Sequence, residues 1–321
     1  MKRSALVLLC LLFHAAALAE TIRFKPTVGH NTYAVREPVL RIKPGDTVET
    51  ETMMGSFYSE KGGPYPGEVG PFFIEGATRE DTLVVRILRL RPNLDLAVSL
   101  HFPRLGTLAA DRYTPSLLEP YSARTYLWKL DREKNIGRLD LPASSIGSVQ
   151  VPLSPMLGRI ATAPAGGEAI NTSWPREFGG NMDTADAREG NTVYLPIFND
   201  GAYFYFGDAH ALQGDGEICG TGLETTVDVT FQFDLIKRKK IAWPRFEDAD
   251  FIMVAGSFRP LQDAYRIAHV ELINWLTEDY GYDKWDALQV VSQVGVTRVA
   301  NVVDPNYTIM AKFPKKYLPR R

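Results

Sequence analysis

Two glycine-punctuated stretches gather the residues that could do chemistry. The first reads Gly179-Gly-Asn-Met-Asp-Thr-Ala-Asp186, and the second Gly207-Asp-Ala-His-Ala-Leu-Gln-Gly-Asp-Gly-Glu-Ile-Cys-Gly220. Together they carry Asp183, Asp186, Asp208, Asp215 and Glu217, with His210 and Gln213 among them. On a strand Asp208 and His210 share a face, because side chains alternate with a period of two. Asp215 and Glu217 repeat that spacing in a turn where glycine lets backbone approach a ligand. Carboxylates crowded around an imidazole suit a divalent cation: Zn2+ accepts mixed nitrogen and oxygen ligands, whereas Mg2+, Ca2+ and Mn2+ prefer oxygen. Such an ion could bring the pKa of water toward about 7 and polarise a carbonyl. A spare carboxylate, Glu217 first, could then carry a proton from the water to a departing amine. Against this, Asp-Gly pairs commonly serve only to make turns, and no fixed motif such as His-Glu-x-x-His is present.

Cys219, nine residues beyond His210, offers a rival nucleophile. Its apolar neighbour Ile218 argues instead for a buried, inert thiol, and nothing nearby supplies the electropositive setting of a reactive thiolate. Gly-x-Ser-x-Gly does not occur. A phosphate-cradling Gly-x-Gly-x-x-Gly starting at Gly214 fails, because Cys219 stands where the third glycine belongs.

The elements that must hold these groups are mostly strands. Pro38–Lys43, the turn Pro44-Gly45-Asp46 and Thr47–Thr52 alternate and punctuate like antiparallel β structure. Asp81–Leu90 is apolar on both faces, with Leu83, Val85 and Ile87 on one and Val84, Leu88 and Leu90 on the other, which predicts a buried strand. Gly and Pro crowd Phe57–Gly70 into a long loop of the kind that borders binding sites. Tyr194–Phe198 and Ala202–Phe206 flank Asn199-Asp200-Gly201, which predicts a hairpin, with the acidic cluster at its base. Val227–Leu235 alternates as a half-buried strand. Helical spacing emerges late, as a stripe of Leu261, Ala264, Ala268, Leu272 and Trp275, followed by a second helix capped at Asp283. The expected class is α+β, mainly β: an antiparallel sandwich or jelly-roll-like part over residues 20–160, then an α+β part over residues 161–321 that carries the site.

The chain has 321 residues, 45% of them hydrophobic, enough for a large core. Lys2 and Arg3, the apolar run Ala5–Phe13 and the small residues through Ala19 read as a signal peptide cleaved after Ala19, which places the protein in the periplasm or outside the cell. The run is too short to span a bilayer as a helix. Its removal leaves 34 basic and 38 acidic side chains, a balance that points to no nucleic acid or membrane partner. Basic residues cluster only at Lys237–Lys240 and in the tail Lys312–Arg321, as solvated turns and termini commonly do. Cys10 goes with the leader, so Cys219 is left without an internal disulfide partner.

The block from Gly179 to Glu217 resembles the hallmark region of the acetamidase/formamidase family. The likeness continues through Cys219-Gly220-Thr221 and Glu224-Thr225, back to Gly70-Pro71-Phe72-Phe73-Ile74-Glu75-Gly76-Ala77, and forward to Val302-Val303-Asp304-Pro305-Asn306. It implies hydrolysis of a short linear amide to a carboxylate and ammonia, metal dependence and homo-oligomeric assembly. It also makes Asn181, Asp183, His210, Gln213, Asp215 and Glu217 the active-site candidates. Of these, Glu217, His210, Asp183 and Gln213 are the candidate catalytic residues. Asp183, His210, Asp215 and Glu217 are the candidate metal ligands, with zinc favoured over Mn, Mg or Ca. The chain departs from the family at Glu51-Thr52-Met53-Met54-Gly55-Ser56, where relatives carry an acid and later a Gln, and near His30, whose neighbours differ. Those departures motivate a second reading, a noncatalytic exported small-molecule-binding protein on the same fold.

Overall fold

The computed structural model of the chain describes residues 19–101, 105–108 and 122–319. The leader up to Leu18 and the last two arginines of the basic tail lie outside the described residues.

Two large sheets face each other. In the first, of nine strands, Val227–Ile236 and Thr82–Pro92 form the longest pair, with Thr47–Glu51 beyond one and Thr192–Pro196 beyond the other; Phe251–Phe258 and Tyr307–Pro314 extend it. In the second, of ten strands, Phe204–His210 lies between Glu224–Thr225 and Met156–Ala161, and Gly179–Asn181 pairs with the latter. Both sheets draw strands from either side of residue 160. Pairing among the described residues is mainly antiparallel, as expected, with two parallel strand pairs: Thr21–Arg23 on Thr47–Glu51, and Leu40–Ile42 on Val69–Ile74. The mainly β, α+β class read from the sequence is the class observed.

Phenylalanines fill the space between the sheets. Phe206 of the second sheet meets Phe231 of the first with ring centroids 4.9 Å apart, and Phe204 meets Phe233 at 5.1 Å. These contacts follow from alternation, since Val227, Val229, Phe231 and Phe233 all point inward. Thr82–Pro92 departs from the expected register. A shift opposite Thr230 and Phe231 turns Leu90 into the core with Leu83, Val85 and Ile87, and leaves Leu88 exposed.

The expected hairpin does not form. Thr192–Pro196 joins the first sheet and Phe204–His210 the second, so Asn199-Asp200-Gly201 is a corner between sheets. Gly201 takes φ 93 there, as an Asp-Gly pair permits, and Ala202 and Tyr203 also have positive φ. The Asn199 amide ties the corner down by donating to the carbonyls of Ala163 and Pro164 at 3.0 and 2.8 Å.

Two helices cover the outer face of the first sheet. α1, Leu261–Tyr280, buries Ala264, Ala268, Leu272 and Trp275 against Ile252, Val254, Ile309 and Phe313. α2, Lys284–Val294, starts at Asp283, whose carboxylate accepts the Trp285 and Asp286 amides. No helix among the described residues is long and apolar enough to cross a membrane. The lysines of 237–240 end in ion pairs: Lys237 with Asp81, Lys239 with Asp279 and Lys240 with Glu80.

Candidate active site

The site is built on one unpaired step in the second sheet. Met156–Ala161 and Phe204–His210 run antiparallel with Leu157 opposite Ala209 and Arg159 opposite Gly207, but Gly158 and Asp208 between them do not pair. Asp208 sits there at φ 53. Asp183 and Glu217, on separate loops, share that unusual conformation at φ 43 and 48. Left-handed backbone at three converging carboxylates is local strain of the kind that clusters at functional sites.

Glycines clear the space. A Cβ on Gly158 would lie 2.3 Å from Asp183 Oδ1 and 2.9 Å from Asp208 Oδ2. One on Gly207 would lie 1.8 Å from Glu68 Oε2, and one on Gly222 2.5 Å from His210 Nδ1. At each of these positions a side chain would displace a site group.

Two groups of ligand atoms share His210. Asp183, Asp208 and His210 form one, and His210, Glu217 and Glu224 the other; within each, the atoms lie within 4.8 Å of one another. All five residues are buried. His210 is oriented by Gln213, whose amide NH2 donates to the Asp183 and Ala300 carbonyls at 2.7 and 3.1 Å. Its oxygen therefore faces His210 Nδ1, 2.8 Å away, and Nδ1 must carry the hydrogen in a neutral ring. Nε2 then presents a lone pair 3.1 Å from Glu224 Oε1 and 3.8 Å from Asp208 Oδ1. A lone pair facing carboxylates demands a cation between them or a proton on Nε2. Both Asp183 oxygens are likewise buried without a hydrogen-bond partner.

A partly buried arginine divides the cluster electrostatically. Arg159 donates from Nη1 to Glu68 at 2.7 Å and from Nε to Asn181 at 2.8 Å, and its Nε lies 3.3 Å from Asp208. Burial works against ionisation of Asp208, yet the Arg159 charge and the contact with His210 hold its pKa down at about 2. Burial and the Asp304 and Asp208 charges push Asp183 well above the usual carboxylate range. Glu217 is pushed the same way by burial and the Asp183 charge. Burial lowers the His210 pKa, but Glu224 and Asp208 outweigh it and raise it well above the ordinary histidine value. Asn181 joins Asp304 to the network with a 2.7 Å hydrogen bond.

The structure brings Asp183, His210, Gln213, Glu217 and Asn181 together and leaves Asp215 outside. The Asp215 carboxylate is half exposed and pairs with Arg298 at 2.9 Å, turned away because Gly216 docks its amide on the Val299 and Ala300 carbonyls. Cys219 is exposed, contrary to the buried thiol expected from Ile218, which is itself exposed. Glu68, Arg159, Glu224 and Asp304 belong to the site but were not singled out from the two motifs. A lone arginine in the apolar run Met156–Ala161 was the signal available for Arg159.

The model of the acetamidase/formamidase family matches residues 132–318, which hold all of this cluster except Glu68. The chain belongs to the acetamidase/formamidase family. It is 35% identical to an acetamidase of Yersinia enterocolitica, whose crystal structure superposes with a TM-score of 0.85 over 95% of each chain. An acetamidase of Bacillus halodurans is 28% identical, with a TM-score of 0.79 over 92% of this chain and 98% of that one. A formamidase of Methylophilus methylotrophus is 28% identical over 180 residues, 48% of this chain and 44% of its own length. The match thus spans less than half of that formamidase, while the two acetamidases align with this chain along nearly their whole length.

Proposed function

We propose that the protein is an exported, metal-assisted hydrolase of short linear amides of the formamide and acetamide kind. The observation that carries this reading is the set of buried donors left open in the cluster: His210 Nε2 and both Asp183 oxygens have no hydrogen-bond partner. Their chemistry, with Glu217 and Glu224, fits a divalent ion, and the Gly158 and Gly222 cradle leaves the donors unobstructed. Mixed imidazole and carboxylate donors favour zinc, with Mn, Mg and Ca as the oxygen-preferring alternatives.

The residues that would hold the ion are Asp183, Asp208 and His210, whose ligand atoms lie within 4.8 Å of one another, which leaves the Glu217 carboxyl spare beside them. Bound there, it would activate water and polarise the amide carbonyl. Gln213 keeps His210 in the tautomer with Nε2 free, the outer-shell role a neighbouring amide plays for a histidine ligand. Burial favours a proton on Glu217, so this carboxyl can hold one and deliver it to nitrogen. Arg159 keeps Asp208 ionised beside it. In the net reaction the C–N bond breaks, water supplies the new C–O bond, and the products are a carboxylate and ammonium.

The test is ammonia release from formamide, acetamide and propionamide by purified protein, before and after chelation and with Zn2+ or Mn2+ restored. Turnover that chelation abolishes and metal restores is expected. Inactivity toward every amide with metal present would sink the proposal. Export is tested separately, by the N-terminal residue of the protein recovered from its native host, expected to be Glu20.

A further inference from the structure

A cavity of about 300 Å3 adjoins the cluster and is not used by the reaction described above. Its apolar walls include Leu100, Leu212 and Leu223, and Gln213 and Glu217 also line it. Glu217 is therefore a wall shared by the cavity and the buried donor set, since its carboxylate also groups with His210 and Glu224. Gly222 lines it too, and packs directly on the His210 ring. The backbone fixes these walls: Leu223 N donates to Leu212 O at 2.8 Å, and Glu217 N to Gly214 O at 3.2 Å.

A formyl or acetyl group makes no use of such a space. Ligand pockets run from roughly 300 Å3 upward and are mostly apolar with a few placed polar groups, and this cavity has that composition beside the one carboxylate placed to move a proton. We propose that it receives the acyl group of the substrate, so that the enzyme prefers primary amides with an apolar acyl chain longer than acetyl. The inference rests on the amidase reading. An amide whose carbonyl carbon sits at the donor set would lay its alkyl chain along Leu100, Leu212 and Leu223. Each methylene so buried raises transition-state binding about fourfold.

The experiment compares acetamide with hexanamide on the full chain and on Leu100→Trp, which fills the cavity. In the unmutated protein kcat/KM for hexanamide should exceed that for acetamide at least tenfold, and Leu100→Trp should cut the ratio at least tenfold. Leu212→Phe serves as the second filling variant should Leu100→Trp fail to fold. A ratio at or below one in the unmutated protein overturns the proposal, as does a ratio that a normally melting variant leaves unmoved. Calorimetry of hexanamide and acetamide binding separates this inference from the reading beneath it. If neither amide is hydrolysed, the amidase reading falls, yet at least tenfold tighter hexanamide binding, lost in the filled variant, still supports the cavity as an acyl site. Equal binding of the two amides overturns it.

Discussion

Asp183 and Asp186 stand three residues apart in one turn, equally buried, and are held in opposite ways. Asp186 receives Lys312 Nζ at 2.6 Å, has Thr184 Oγ1 at 3.3 Å and lies within 4.0 Å of Arg298. Asp183 receives nothing at either oxygen. Leaving a buried carboxylate unpaired is costly, and folded proteins avoid it by pairing the charge, protonating it or coordinating a metal. The same stretch of chain provides a lysine for one aspartate and leaves the other without a lysine or arginine partner, which is what the proposed metal site requires of Asp183. Backbone agrees with this division, because Asp183 has φ 43 whereas Asp186 is not among the positive-φ residues.

The largest effect expected from that contrast is on turnover. Asp183→Asn keeps the shape and removes the charge, and kcat/KM for acetamide should fall about 10³-fold or more, as loss of a group acting on the transition state does. Stability should stay level or rise, since the variant replaces a buried carboxyl group whose oxygens have no hydrogen-bond partner. A variant that keeps more than a tenth of the activity, or one that melts well below the unmutated protein, would break the assignment of Asp183 as the ligand-reserved partner.

Lys312→Met probes the other half. It removes the close partner of the Asp186 charge and leaves only Arg298 at 4.0 Å, and breaking a buried pair from one side costs about 3–5 kcal/mol, read by urea unfolding. Activity per folded molecule should change less than about threefold. Adding Asp186→Asn should recover most of the lost stability, because removing both charges leaves nothing unpaired. If Lys312→Met cost activity and spared stability, the two aspartates would not differ in the way their partners indicate.

The sequence made one side of this contrast legible and hid the other. The two Gly-rich motifs held most of the carboxylates, and strand alternation put Asp208 and His210 on one face even though Asp208 breaks the strand conformation at φ 53. The helical stripe and the Asp283 cap were visible because they are local patterns. What spacing could not supply is cross-strand neighbourhood. Glu224 faces His210 through strand register, and Glu68 reaches Arg159 across 91 residues of chain. The hairpin expected at Asn199-Asp200-Gly201 failed for the same reason. A turn fixes the local path of the chain, but which sheet each arm joins depends on partners such as Arg86 opposite Thr192 and Ala209 opposite Leu157. Asp215 had the spacing of a ligand, and only the docking of Gly216 on the neighbouring strand turned it toward Arg298.

Asp81 sharpens the comparison with a third way of holding a buried aspartate, and with the smallest expected effect. Only 2% exposed, it accepts two backbone and two side-chain hydrogen bonds. The Thr78 and Arg238 amides donate at 2.9 and 2.8 Å, Thr78 Oγ1 at 2.7 Å, and the half-exposed Lys237 at 2.5 Å. Burial opposes ionisation, but the hydrogen bonds from Lys237, Arg238 and Thr78 win and hold its pKa well below the usual carboxylate range. The sign follows: an aspartate whose pKa is lowered by folding adds stability above its unfolded value near about 4, and loses it as pH falls toward the folded one. Asp81→Asn, which still offers one acceptor oxygen, should therefore cost about 1–3 kcal/mol at pH 7. The gap from the unmutated protein should narrow steadily below about pH 4. Urea unfolding of both proteins at pH 7, 5 and 3.5 decides it: a gap as wide at the lowest pH as at neutrality would mean that Asp81 contributes shape and not charge. It would then be no intermediate case between Asp183, open to a cation, and Asp186, already given one.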